Sequence, residues 1–67
     1  MAVARVTEIS STSSSSFEDA IKTGLERANQ TLRNVRSAWI KEQHVRLDGG
    51  SITEYQVNML VTLVLDD

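Results

Sequence analysis

The chain has 67 residues, with 7 basic and 9 acidic side chains and a net charge of −2. It has no Cys and a single His, which excludes disulfides, thiolate metal sites and histidine metal clusters. It has no basic run to meet nucleic acid, no apolar stretch near the ~18–20 residues of a membrane span, and no signal-peptide core after Met1, so a cytoplasmic protein with no nucleic-acid or membrane partner is expected.

The first element is a strand over Val3–Ile9, where Val and Ile mix with polar residues as on a half-buried sheet. Ser10–Ser16 is almost pure Ser and Thr and reads as a loop running into a helix cap. A helix is predicted from Phe17 to about Asn34. Phe17, Ala20, Ile21, Gly24, Leu25, Ala28 and Leu32 recur at helical spacing and form one apolar stripe. Ser15 before Glu18, or Ser16 before Asp19, supplies an N-cap with an acid three residues on. Early acids and late Arg residues suit the helix dipole. Gly24 lies on the apolar stripe, where it costs about 1 kcal/mol against Ala, so close contact with a sheet is expected there.

Arg36–Leu47 reads as a second strand and Ile52–Leu65 as a third. In the third, Tyr55, Val57, Met59, Val61, Leu63 and Leu65 alternate with Glu54, Gln56, Asn58, Leu60, Thr62 and Val64. Between them Asp48-Gly49-Gly50-Ser51 signals a tight hairpin, because Gly accepts positive φ. The fold class is therefore α+β: a single domain over 1–67 with the order β-α-β-β, a three-stranded antiparallel sheet partly wrapped around one helix.

Element lengths then speak to assembly. A helix of about 17 residues spans roughly 25 Å, and a strand of about 14 residues spans roughly 45 Å. The helix cannot cover the hairpin, and the expected overhang carries Val61, Leu63 and Leu65. The opposite sheet face carries Trp39, Leu60 and Val64, so it too is not fully polar. A domain this small is marginal alone, and two greasy surfaces call for further copies of the chain.

The order and its local sequence resemble the dodecin family over nearly the whole chain. Arg5-Val6-Thr7-Glu8-Ile9 and the following Thr12-Ser13 are similar to the family's opening. Phe17-Glu18-Asp19-Ala20-Ile21 is similar to its helix entry, and Thr31-Leu32-Arg33-Asn34-Val35-Arg36 to its helix exit. Lys41-Glu42-Gln43, the glycine hairpin and Ile52-Thr53-Glu54-Tyr55-Gln56-Val57 complete the match. The resemblance implies a hollow homo-dodecamer with helices outside and sheets lining the interior. It also implies non-covalent binding of a flavin between subunits, for storage or sequestration and without catalysis.

Within that resemblance Gln56 matches the family's flavin-contacting Gln, whose amide offers donors and an acceptor. The family's stacking Trp position falls on Ser37. Trp39 lies two residues on and shares its strand face, so it is a shifted stacking candidate or an interface plug. His44 stands where several relatives have an Arg near the flavin, and Val64 where some have an Arg that meets a nucleotide phosphate. The loss of that last Arg favours riboflavin or lumichrome over FMN, or no flavin at all. Arg36-x-Ala38 and Glu42-Gln43 also resemble a flavin-poor branch linked to calcium. The alternative is thus a flavin-less shell that binds cations, with Glu8, Glu42 and Glu54 gathered about a symmetry axis to supply oxygen ligands. No catalytic constellation is present: the clustered Ser residues have no His–Asp relay, and glycines 24, 49 and 50 do not form a phosphate loop.

Overall fold

The computed structural model describes residues 3–65, so the first two and last two residues of the predicted 1–67 domain lie outside the described residues. Four elements follow in order: β1 (Ala4–Ser13), α1 (Phe17–Thr31), β2 (Val35–Asp48) and β3 (Ser51–Val64). They form a three-stranded sheet in the order β1-β3-β2, antiparallel throughout, with α1 on one face.

β1 runs four residues beyond its predicted end and absorbs part of the Ser/Thr segment. Ser10, Ser11, Thr12 and Ser13 pair with Asn58, Val57, Gln56 and Tyr55. Their turn propensity is overridden because β3 offers a ladder, and because small side chains are needed beneath the helix. Ser11 lies directly under Gly24: a Cβ on Gly24 would sit 2.8 Å from Ser11 Cβ and 2.8 Å from Met59 Cε. Ser13 is buried and organises the helix entry. Its Oγ accepts from the backbone N–H of Ser15 at 2.9 Å and donates to Asp19 Oδ2 at 2.6 Å. Ser16 is the N-cap, accepting from the Asp19 backbone N–H at 3.0 Å, the second of the two predicted caps.

α1 ends at Thr31, three residues before the predicted Asn34. Leu32 is extended, its N–H still bonding Ala28 O at 2.8 Å, and Asn34 takes φ 59. Arg33 therefore lies outside the helix and the last turn holds no basic residue, so the expected dipole match holds only at the N-terminus. Ala20, Gly24 and Ala28 form the buried line of the helix. Ala20 packs with Val57 and Met59, flanked by Ile9, Phe17, Ile21 and Leu25. Phe17 meets Tyr55 edge-on at 5.1 Å between ring centroids.

The hairpin turn has φ 58 at Gly49 and φ 84 at Gly50, the positive pair that a tight two-residue turn demands. The alternation predicted for β3 is observed, with Val57, Met59, Val61 and Leu63 buried against the helix side. Here the expected overhang is corrected. Val61 and Leu63 are covered, and Leu65 alone of the three stays exposed. The uncovered end is instead the hairpin tip, where cross-strand partners Leu47 and Ile52 are 63% and 47% exposed. The reason is the direction of α1. β1 finishes opposite Tyr55, so the helix starts there and runs back over Val57–Leu63, leaving the tip with neither helix nor third strand.

The result is elongated, 52 × 19 × 13 Å, with a radius of gyration of 13.8 Å. A compact chain of this length would have about 11 Å. Its accessible surface, 4970 Å², exceeds the roughly 4200 Å² expected for a globular monomer of its mass. The excess is the sheet's far face and the hairpin tip.

Candidate functional site

The face of the sheet away from α1 holds all the predicted flavin-contacting residues. Paired residues of an antiparallel ladder share a face, so the register sorts this surface into rows. Val6, Thr62 and Ser37 form one row, Glu8, Leu60 and Trp39 the next. Ser10, Asn58 and Glu42 follow, then Thr12, Gln56 and His44. A β-bulge between Ile40 and Glu42 places Lys41 as an extra residue in β2. Its ammonium reaches across β3 to Glu8 Oε1 at 3.3 Å.

These rows divide into two clusters. The first is apolar. Val6, Trp39, Leu60 and Thr62 line a shallow depression of about 360 Å³, and Trp39 is 70% exposed with Val6 56% exposed. The second is polar: Glu42, Gln43, His44, Gln56 and Asn58 line a depression of about 220 Å³. In it Gln56 Nε2 donates to Ser10 Oγ at 2.8 Å and lies 3.5 Å from Asn58 Oδ1. Asn58 Nδ2 donates to Glu42 Oε1 at 3.0 Å.

The separation of the clusters decides what one chain can do. Gln56 and the Trp39 partner Leu60 are four residues apart on β3, about 13 Å along the strand. Gln56 and the Ser37 partner Thr62 are six apart, about 20 Å. A three-ring heterocycle centred over Trp39 does not reach Gln56 of the same chain. His44, by contrast, is the direct cross-strand neighbour of Gln56.

The three carboxylates considered for calcium are not gathered within the chain. Glu8 pairs with Lys41, Glu54 with Arg46 Nη1 at 2.7 Å, and Glu42 accepts from Asn58. Among the described residues no cluster of three or more His, Asp or Glu side chains is placed to hold a metal ion. Val64 is half-buried at the Ala4 end of β3. No helix among the described residues is long and apolar enough to cross a membrane.

Sequence reasoning placed Asn58 on the Gln56 face without singling it out for the site, and it missed Ser10 as part of this surface. Asn58 was legible, because it shares a strand face with Gln56 two residues away. Ser10 was not, because its strand pairing was hidden inside a Ser-rich segment that reads as a loop.

Comparison with known proteins agrees with this geometry. Residues 3–66 match the family model for dodecin. The chain is similar in structure to the dodecin from Streptomyces davaonensis, with 38% identity and a TM-score of 0.92, over 98% of this chain and 97% of that one. It is similar to the tt0972 protein from Thermus thermophilus, with 31% identity and a TM-score of 0.93, over 100% of this chain and 98% of that one. A dodecin from Streptomyces coelicolor is 26% identical with a TM-score of 0.92, over 98% and 94% of the two chains. No match was found among curated proteins. With the β-α-β-β order, the β1-β3-β2 sheet and a family match over almost its whole length, the chain belongs to the dodecin family.

Proposed function

We propose that this chain binds a riboflavin-type flavin non-covalently, at a site shared between copies of itself, and stores or sequesters the flavin without turnover. The observation that carries this reading is the split of the sheet face. Trp39 offers an uncovered aromatic surface for stacking, and Gln56 offers an amide for the ring edge. The two are too far apart to serve one ligand within a chain, and a neighbouring copy supplies the missing half. The same neighbour covers Val6, Leu47 and Ile52, whose exposure an isolated 67-residue domain would have to tolerate. Family likeness supports a closed dodecamer with the sheets facing inward as that assembly.

The residues fit the ring better than a phosphate. Lys41 and Arg46, the cations whose side chains pair with carboxylates on this face, are engaged by Glu8 and Glu54. Val64 brings no donor. Ser37, at the stacking position of relatives, has no aromatic surface, so Trp39 takes that role from two residues further along the strand. His44, beside Gln56, contributes a ring nitrogen at the polar end.

The test is a titration of riboflavin or lumichrome into apo protein, following ligand fluorescence. Quenching that saturates at micromolar protein is expected, with a mass in sedimentation that is a multiple of 7.4 kDa. Unquenched fluorescence at high micromolar protein overturns the proposal.

A further inference from the structure

The amide of Gln56 has two ends, and a ligand meets the end that the protein leaves open. Nε2 donates to Ser10 Oγ at 2.8 Å and faces Asn58 Oδ1 at 3.5 Å. An amide nitrogen carries two hydrogens, so both are committed. Asn58 in turn donates from Nδ2 to Glu42 Oε1 at 3.0 Å. A carboxylate at neutral pH accepts and cannot donate.

That last property sets the direction of the whole chain of bonds. Glu42 accepts, so the nitrogen of Asn58 faces Glu42. The oxygen of Asn58 then faces Gln56, and the nitrogen of Gln56 faces Asn58. The carbonyl Oε1 of Gln56 accepts no bond from a described residue and is left for a ligand. Reversing Gln56 would set its carbonyl against the Asn58 carbonyl, and reversing Asn58 would set its carbonyl against a carboxylate.

We propose that Glu42, Asn58 and Ser10 are positioning residues which hold the Gln56 amide in one sense, so that the site selects planar ligands presenting an imide N–H. The inference rests on the flavin reading above and sharpens it. A flavin meets the requirement through the N3–H between its two pyrimidine carbonyls. A flavin methylated at N3 keeps the ring and its stacking surface and loses this donor. A site built around a hydrogen bond rejects an analogue that lacks the donor, because the acceptor is then left unpaired.

The experiment compares riboflavin with N3-methylriboflavin by fluorescence quenching on the assembled full chain. Wild-type protein is expected to bind riboflavin at least about tenfold more tightly. Glu42→Gln keeps the size of the side chain but can donate as well as accept, so it frees Asn58 and Gln56 to reverse together. The preference is expected to fall severalfold. Adding Asn58→Asp to Glu42→Gln restores an acceptor opposite Gln56 Nε2, with Gln at 42 now donating to it, and the preference is expected to return. A purely structural role would weaken both ligands equally and leave their ratio unchanged. Equal binding of the two flavins to wild type overturns the inference, as does an unaltered ratio in Glu42→Gln. Failure of wild type to quench either flavin overturns the flavin reading itself and this inference with it.

Discussion

Gly24→Ala sets a local preference directly against packing. On an isolated helix Ala is about 1 kcal/mol better than Gly. In this fold the added methyl would lie 2.8 Å from Met59 Cε, 2.8 Å from Ser11 Cβ and 3.1 Å from Ser11 Oγ. Met59 Cε is the end of a flexible side chain and can swing away, at the expense of a core position that is fully buried. Ser11 Cβ cannot, because β1 is held by its pairing of Ser11 with Val57. Overpacking of this kind costs about 1–3 kcal/mol, which outweighs the propensity gain. A net loss of about 1 kcal/mol is expected, or a fall in Tm of roughly 4–8 °C for a domain of this size. Because assembly makes Tm depend on concentration, wild type and variant are compared at the same protein concentration. Ser11→Gly in the Gly24→Ala background removes both contacts with residue 11. The double-mutant cycle should therefore show positive coupling of about 0.5–1 kcal/mol. A Gly24→Ala protein as stable as wild type, or a cycle that is simply additive, would refute the close-approach argument.

Other outcomes are expected from the same geometry. Trp39→Ser should leave the far-ultraviolet circular dichroism unchanged while lowering riboflavin affinity about tenfold, as loss of one stacking partner predicts; unaltered quenching would remove Trp39 from the site. FMN should bind more weakly than riboflavin, because Val64 brings no donor and Lys41 and Arg46 are already paired; parallel fluorescence titrations with equal affinities would contradict this. Ser13→Ala should destabilise more than Ser16→Ala, itself worth about 1 kcal/mol, because Ser13 Oγ serves Ser15 N and Asp19 Oδ2 together; denaturant melts that rank them the other way would show the cap network is misjudged. Calcium should leave the melting curve where a chelator leaves it, since Glu8, Glu42 and Glu54 are each engaged within the chain; a calcium-dependent rise in Tm would favour the cation-binding shell.

The amino-acid sequence determined the element order, because periodicity and turn chemistry are local. The 3.6-residue stripe from Phe17 to Ala28, the strict alternation of Tyr55 to Leu63 and the Gly49-Gly50 turn each have one natural conformation. It also placed Ser37, Trp39 and Gln56 on a common face, since side-chain direction in a strand follows residue parity. Tertiary structure decided what depends on partners distant in the chain. The strand role of Ser10–Ser13 exists because β3 offers a ladder and α1 demands small residues beneath it at Ser11 and Ser13. The covered end of the hairpin is Val61–Leu63 rather than the Leu47–Ile52 tip, because the helix starts opposite Tyr55 and doubles back. The fixed sense of the Gln56 amide depends on three strands meeting, with Ser10, Asn58 and Glu42 drawn from each. Period and parity are properties of neighbouring residues, whereas register, coverage and hydrogen-bond direction are properties of contacts between segments, and only folding brings those together.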